Sequence, residues 1–277
     1  MRARERATVT GRLTRRIVGV LPVGLHGFAC ALTAAWFQLA AAVGDWRVFA
    51  AAAPLVYLLS LVTCAGLVAR AVAHRIVEGR FPRDASTAAY RARLVYGAAW
   101  TTIFYSKPVL HAVLSCGLLR KVVFRLFGYQ GSTAFTAYPD TWMRDLRLLD
   151  FGEGVYISNR ATLGTNMVLS NGLIFVGGIR IGASALVGHL AMVGPGCSIG
   201  ARSELGVGAA LGMQVRIDED VHVGPRTTVN HGAVLHRGVR LGTGCSIGRK
   251  AVVGPGVHLP DGSVVPDRAR IFVSREG

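Results

Sequence analysis

From Phe151 to Arg270 the chain repeats every six residues. The series that begins Phe151, Ile157, Leu163, Leu169, Phe175, Ile181 continues at the same spacing to Leu259 and Val265 without a polar residue. From Ile181 onward the following position is Gly in ten of fifteen hexads, the exceptions being Asp218, Asn230, His236, Pro260 and Pro266. Gly, Asn, Asp and His tolerate a positive φ, so a tight corner is expected there. The fifth position of each hexad from Ala185 onward is Ala, Cys, Ser, Thr or Val, the set small enough to pack inside a corner. A period of six fits neither an amphipathic helix nor an alternating strand, and it predicts a parallel β-helix. The unbroken phase predicts that no hexad between 151 and 270 carries an inserted loop.

Stretches such as Ile181-Gly182-Ala183-Ser184-Ala185, Val193-Gly194-Pro195-Gly196-Cys197 and Ile247-Gly248-Arg249-Lys250-Ala251 resemble the repeat of the left-handed β-helix hexapeptide-repeat acyltransferases, over nearly half of the chain. The resemblance implies left-handed winding and eighteen residues per triangular coil, so that twenty hexads make between six and seven coils. It also implies a homotrimer with active-site clefts between adjacent subunits. Such a motif specifies fold and leaves the substrate open.

Charge is unevenly spread. Residues 1–150 hold 19 Lys/Arg against 7 Asp/Glu, and residues 151–277 hold 12 against 8, so most of the net +16 lies beside the apolar segments. Anionic lipid fits that placement, whereas the interleaving of basic and aromatic residues expected of a nucleic-acid surface is missing. The five cysteines show no paired spacing and read as buried reduced thiols, Cys197 and Cys245 at small inward corners.

Ile17 to Gly44 carries no formal charge and exceeds a signal-peptide core in length; Val48 to Ala69 is again long enough to span a bilayer. Asp45-Trp46-Arg47 reads as the loop of a transmembrane hairpin. Six Arg precede it within residues 1–16, and Arg70, Arg75, Arg80, Arg83, Arg91 and Arg93 follow it, which places both ends in the cytoplasm. Leu94 to Val123 is interrupted by Lys107-Pro108, His111 and Lys121 and is expected as a Pro-broken, interfacial or re-entrant helix pair. The expected fold is therefore mixed membrane α plus all-β. Residues 1–16 form a basic cytoplasmic terminus, 17–93 the hairpin with its basic flank, 94–150 the interfacial helices and a linker capping the first coil, and 151–277 the β-helix, facing the cytoplasm.

Acyl transfer, as the resemblance implies, needs one His as general base on a hydroxyl or amine, with the thioester of coenzyme A or an acyl-carrier protein as donor and no metal. His189 and His231 each stand two residues after an inward aliphatic, where the family often has its base. Residues eighteen apart should stack, which puts Glu153, Asn171 and His189 in one column with Asn171 orienting the ring. His231 would have Met213 below and Arg249 above, with Asn230 as oxyanion donor. Glu204, His222, Arg240 and His258 read as a solvated charge ladder.

The segment Val229 to His236 also resembles the paired zinc histidines of the γ-class carbonic anhydrases. That alternative makes His231, His236 and Asp218 zinc ligands. The leading expectation is a membrane-anchored acyltransferase moving an acyl group, taken as acetyl, to a lipid-linked or envelope acceptor. A membrane hairpin before hexapeptide repeats is also similar in layout to terminal membrane modules of some nonribosomal peptide synthetases. A non-catalytic trimeric scaffold is the third reading.

Overall fold

The computed structural model describes residues 2–42 and 46–273. The chain forms two compact units, Met1–Ile76 with Pro82–Gly128, and Val77–Phe81 with Tyr129–Gly277. The first is helical: α1 (Arg2–Ala41), α2 (Trp46–Ala73), α3 (Ala88–Tyr105), α4 (Lys107–Ser115) and α5 (Gly117–Leu126). Within α1 and α2, Arg16–Leu39 and Trp46–Ala73 are long and apolar enough to cross a membrane. His26 Nδ1 and Tyr57 OH, 2.6 Å apart, link the two helices by a hydrogen bond. Of the expected hairpin loop, Val43, Gly44 and Asp45 lie outside the described residues, while Trp46 and Arg47 open α2.

Residues 94–123, expected as a helix pair, belong to three helices. Ser106 (φ −79°, ψ 77°) ends α3, and Pro108 sits in the first turn of α4, where a missing N–H leaves no bond unmade. Cys116 in extended conformation separates α4 from α5. α3 and α5 close on an aromatic core: the buried Trp100 meets Phe124 and Phe127 edge-on, and Tyr96 OH donates to Phe127 O at 2.6 Å.

The second unit is a parallel β-solenoid. Three seven-stranded parallel sheets make its faces. The first face runs from Thr136–Ala137 to His258–Leu259, the second from Trp142–Met143 to Val264–Val265, and the third from Leu149–Phe151 to Arg270–Ile271. From Ile199 upward each strand sits over the one eighteen residues back, as Leu205 does over Val187 and Val223 over Leu205. The inward aliphatics and the small fifth-position residues fill the axis, Ala185, Cys197, Thr227 and Cys245 all being buried. Where the small residue is polar it serves the backbone: Thr227 Oγ1 donates to Gly242 O at 2.7 Å and accepts from Cys245 N at 3.0 Å.

Three expectations are corrected. The solenoid begins before Phe151: residues 131–150, expected as linker and cap, supply the first strand of every face, with Ala137 under Ile157 and Met143 under Leu163. The positive φ falls three residues after the inward aliphatic, as at Arg160, Ser184, Arg202 and Gln214, and not at the Gly that follows it directly. That Gly is required by close stacking instead; a Cβ on Gly206 would stand 2.6 Å from Pro225 N.

The third correction is an insertion. Val187 pairs with Ile157 and Val193 with Leu163, thirty positions back rather than eighteen. The extra twelve residues leave the coil as an antiparallel hairpin, Asn166–Val168 against Leu173–Val176, closed at its base by Gly177 N donating to Thr165 O at 3.0 Å. Strand β1 (Gly79–Pro82), which follows α2 in sequence, joins its outer edge to make a three-stranded sheet. Because twelve is two hexads, Leu169 and Phe175 keep the apolar phase although neither lines the solenoid axis.

Candidate active site

The three histidines of interest occupy three different corners. His189 follows the first face, His231 the second and His236 the third, since they come after Val187, Val229 and Leu235. His231 and His236, five residues apart, are therefore held at opposite ends of the strand Val234–Leu235. The zinc constellation of His231, His236 and Asp218 does not come together within the chain. Among the described residues no three His, Cys, Asp or Glu side chains gather as a metal site.

His231 folds down over Gly212, where a Cβ would collide with its Nδ1. The Met213 N–H donates to that Nδ1 at 2.8 Å. A backbone N–H only donates, so the lone pair of Nδ1 is taken and the neutral ring carries its proton on Nε2. His231 thus presents a donor, the opposite of what a base needs. Asn230 spends one N–H of its amide on Ile247 O, 2.9 Å away in the next coil, and so supports the stack.

His236 has the complementary arrangement. Its Nδ1 lies 2.8 Å from Asp218 Oδ2, one coil below. A carboxylate only accepts, so Nδ1 carries the proton and Nε2 keeps its lone pair. Both side chains are partly exposed, at 38% and 47%, so the ring is open to a substrate. Nearby, Asp220 is held below the usual carboxylate range by the Arg202 guanidinium, with Arg237 adding to the effect. Arg202 in turn is raised by Asp220 and Glu219, which bond it at 2.7 and 2.8 Å. Those carboxylates are occupied by guanidinium groups, while Asp218 is left to the imidazole.

His189 does not stack on Asn171. The hairpin takes Asn171 out of the coil, where its Oδ1 accepts from Leu173 N at 3.1 Å in the turn. The residue below His189 is Asn159, whose carbonyl accepts from Leu190 N at 3.3 Å. Glu153 likewise stands under Ala183 and Ser184 rather than under Asn171, as Ser184 N donates to its carbonyl. The ladder of Glu204, His222, Arg240 and His258 is in register as expected, with His222 Nδ1 3.1 Å from Glu204.

A cleft of about 570 Å³ opens at the His231 corner, lined by Arg80, His231, Arg249, Lys250, Asp267 and Arg268 among others. Arg80 reaches it from β1, its guanidinium 5.8 Å from the Phe175 ring of the hairpin. Sequence reasoning missed Arg80 because it lies outside the repeat. It stacked Asp218 below His236 from their spacing of eighteen, but read the pair only as zinc ligands and not as a ring with its orienting carboxylate.

No protein-family model matches the sequence, and no curated protein matches it. Among solved structures the chain is similar to PerB from Caulobacter crescentus in complex with CoA and GDP-perosamine, at 20% identity over 55% of this chain and 64% of that one, TM-score 0.36. It is similar to the acetyltransferase domain of PglB from Neisseria gonorrhoeae in complex with acetyl coenzyme A, at 16% identity over 55% and 62%, TM-score 0.23. A third is WeeI from Acinetobacter baumannii, at 19% identity over 33% and 48%, TM-score 0.25. In each case the chain spans less than two thirds of the length of the structure it matches.

Proposed function

We propose that this chain is a membrane-anchored acyltransferase in which His236, oriented by Asp218, is the general base. The donor is a coenzyme A or acyl-carrier thioester and the acceptor a hydroxyl or amine. The observation that carries the reading is the 2.8 Å contact from His236 Nδ1 to Asp218, which leaves Nε2 as an outward-facing acceptor on the solenoid of a hexapeptide-repeat chain. His231 and His189, the bases expected from position alone, lack such an arrangement.

In the proposed step Nε2 takes the proton of the acceptor hydroxyl or amine as its lone pair attacks the thioester carbon. A tetrahedral oxyanion forms, the carbon–sulfur bond breaks, and the departing thiolate recovers the proton from the imidazolium. Asp218 stabilises that imidazolium and fixes the ring's tautomer. Atoms balance without metal or redox partner. The apolar helices α1 and α2 anchor the chain, both ends on the cytoplasmic side by their basic flanks, and a homotrimer supplies the second wall of each cleft.

Thiol release from a panel of acyl thioesters by the detergent-purified full-length protein, with membrane-lipid extract as acceptor, tests this. His236→Asn is expected to lower kcat by about a hundred- to ten-thousand-fold, with Asp218→Asn lowering it by a smaller factor. His189→Ala should leave kcat near wild type. Retention of the wild-type rate by His236→Asn would sink the assignment.

A further inference from the structure

The cleft at the His231 corner is separate from the His236 corner, and its chemistry points to a ligand of its own. Four cations line it, Arg80, Arg249, Lys250 and Arg268, against the single carboxylate of Asp267. That carboxylate is engaged by the Arg249 backbone N–H at 2.6 Å. Among the described residues none of the four cations is in a salt bridge, in contrast to Arg202 and Arg237 at the neighbouring corner. His231 adds an Nε2–H donor, its tautomer fixed by Met213. Guanidinium groups, an ammonium and a neutral imidazole donor converging on one concave site match an anion with several acceptor oxygens, as a phosphoryl group has.

The origin of Arg80 narrows the source. Only seven peptide links separate it from Ala73, the last residue of α2, and they span at most about 25 Å. A cleft that includes Arg80 is therefore tethered close to the end of a helix read as membrane-spanning. Arg70, Arg75 and Arg83 lie along the same short stretch of chain, the arrangement that attracts anionic headgroups.

We propose that this cleft binds the phosphoryl headgroup of a lipid, and that the acyl acceptor is a phosphate-bearing lipid. The proposal rests on the acyltransferase reading for the role of that lipid as acceptor, and on α1 and α2 lying in the membrane. The phosphoryl group sits among Arg80, Arg249, Lys250 and Arg268 and accepts from His231 Nε2–H.

Equilibrium binding to the full-length protein in uncharged detergent micelles tests it. The probes are dioctanoyl phosphatidic acid, dioctanoylglycerol as the uncharged lipid, and coenzyme A as a soluble phosphate. Phosphatidic acid is expected to bind saturably and dioctanoylglycerol not to bind. Combining Arg249→Gln, Lys250→Gln and Arg268→Gln should weaken phosphatidic acid by about tenfold or more, and high salt should weaken it in the unaltered protein. Arg80→Gln, in β1 and so outside the stacked coils, should weaken it too and so separates loss of the site from loss of the fold. Equal binding of both lipids, or unchanged phosphatidic acid binding in both variants, would overturn the proposal. So would a loss of coenzyme A affinity alone in those variants, which would give the cleft to the thioester donor. His236→Asn must leave lipid binding intact; if thiol release fails for every donor while cleft-dependent lipid binding persists, the catalytic reading falls and the lipid site stands.

Discussion

Cys197 shows what one inward corner does to a side chain. Its thiol is buried and donates to Gly212 O at 2.9 Å, and desolvation pushes its pKa from 9.0 up to about 12. In the unfolded chain the thiol ionises near the ordinary value, so between about pH 9 and 12 the unfolded state holds fewer protons than the folded one. Stability is complete below the unfolded value and is lost as pH rises, by about 1.4 kcal/mol per pH unit within that window. Denaturation midpoints measured from pH 8 to 11 should therefore fall more steeply for the native chain than for Cys197→Ala. Such small corners were legible in the sequence because volume alone selects them. The Gly after each aliphatic was legible as a constraint but not for its cause, since φ and close stacking ask for the same residue. The tautomers of His231 and His236 were not legible: each is set by a partner one coil away, a backbone N–H in one case and Asp218 in the other.

At the scale of elements, the hairpin after Thr165 is the feature the repeat concealed. An insertion of twelve residues shifts the three pairings that cross it by two hexads yet leaves each aliphatic in phase, so periodicity reports which side chains face inward and not which strands are neighbours. The column that was expected to join Asn171 to His189 failed for this reason, while columns above Val187 held. Removing residues 166–177 in full would restore spacing of eighteen between Ile157 and Val187 and keep the hydrogen bond from Thr165 Oγ1 to Asp145 Oδ2, 2.7 Å. That deletion should leave a cooperatively folded solenoid by circular dichroism, while removing eleven residues should not, because a shift of one turns every inward side chain outward. The β1 edge loses its partner in the shorter chain, and lipid binding through Arg80 should weaken with it.

On the scale of the whole molecule, each coil of the solenoid contacts only its neighbours, so stability is close to a sum along the axis. The last coil has a partner on one side only among the described residues, and Val264 and Phe272 are 75% and 56% exposed there. Hydrogen exchange is expected to open amides of 252–271 before those of 204–229, and equal protection along the axis would contradict the additive picture. The stack holds one further consequence. If the hairpin were drawn back into the coil, every residue beyond Gly177 would advance by two of the three faces while each inward aliphatic stayed inward. One sequence therefore supports two threadings of a single core, degenerate as far as the axis can tell. What distinguishes them lies outside that core, in the bond from Gly177 N to Thr165 O at the base of the hairpin and in the edge offered by β1. A few polar contacts thus act as the index pin of the prism, and they decide which histidine shares a corner with Arg80.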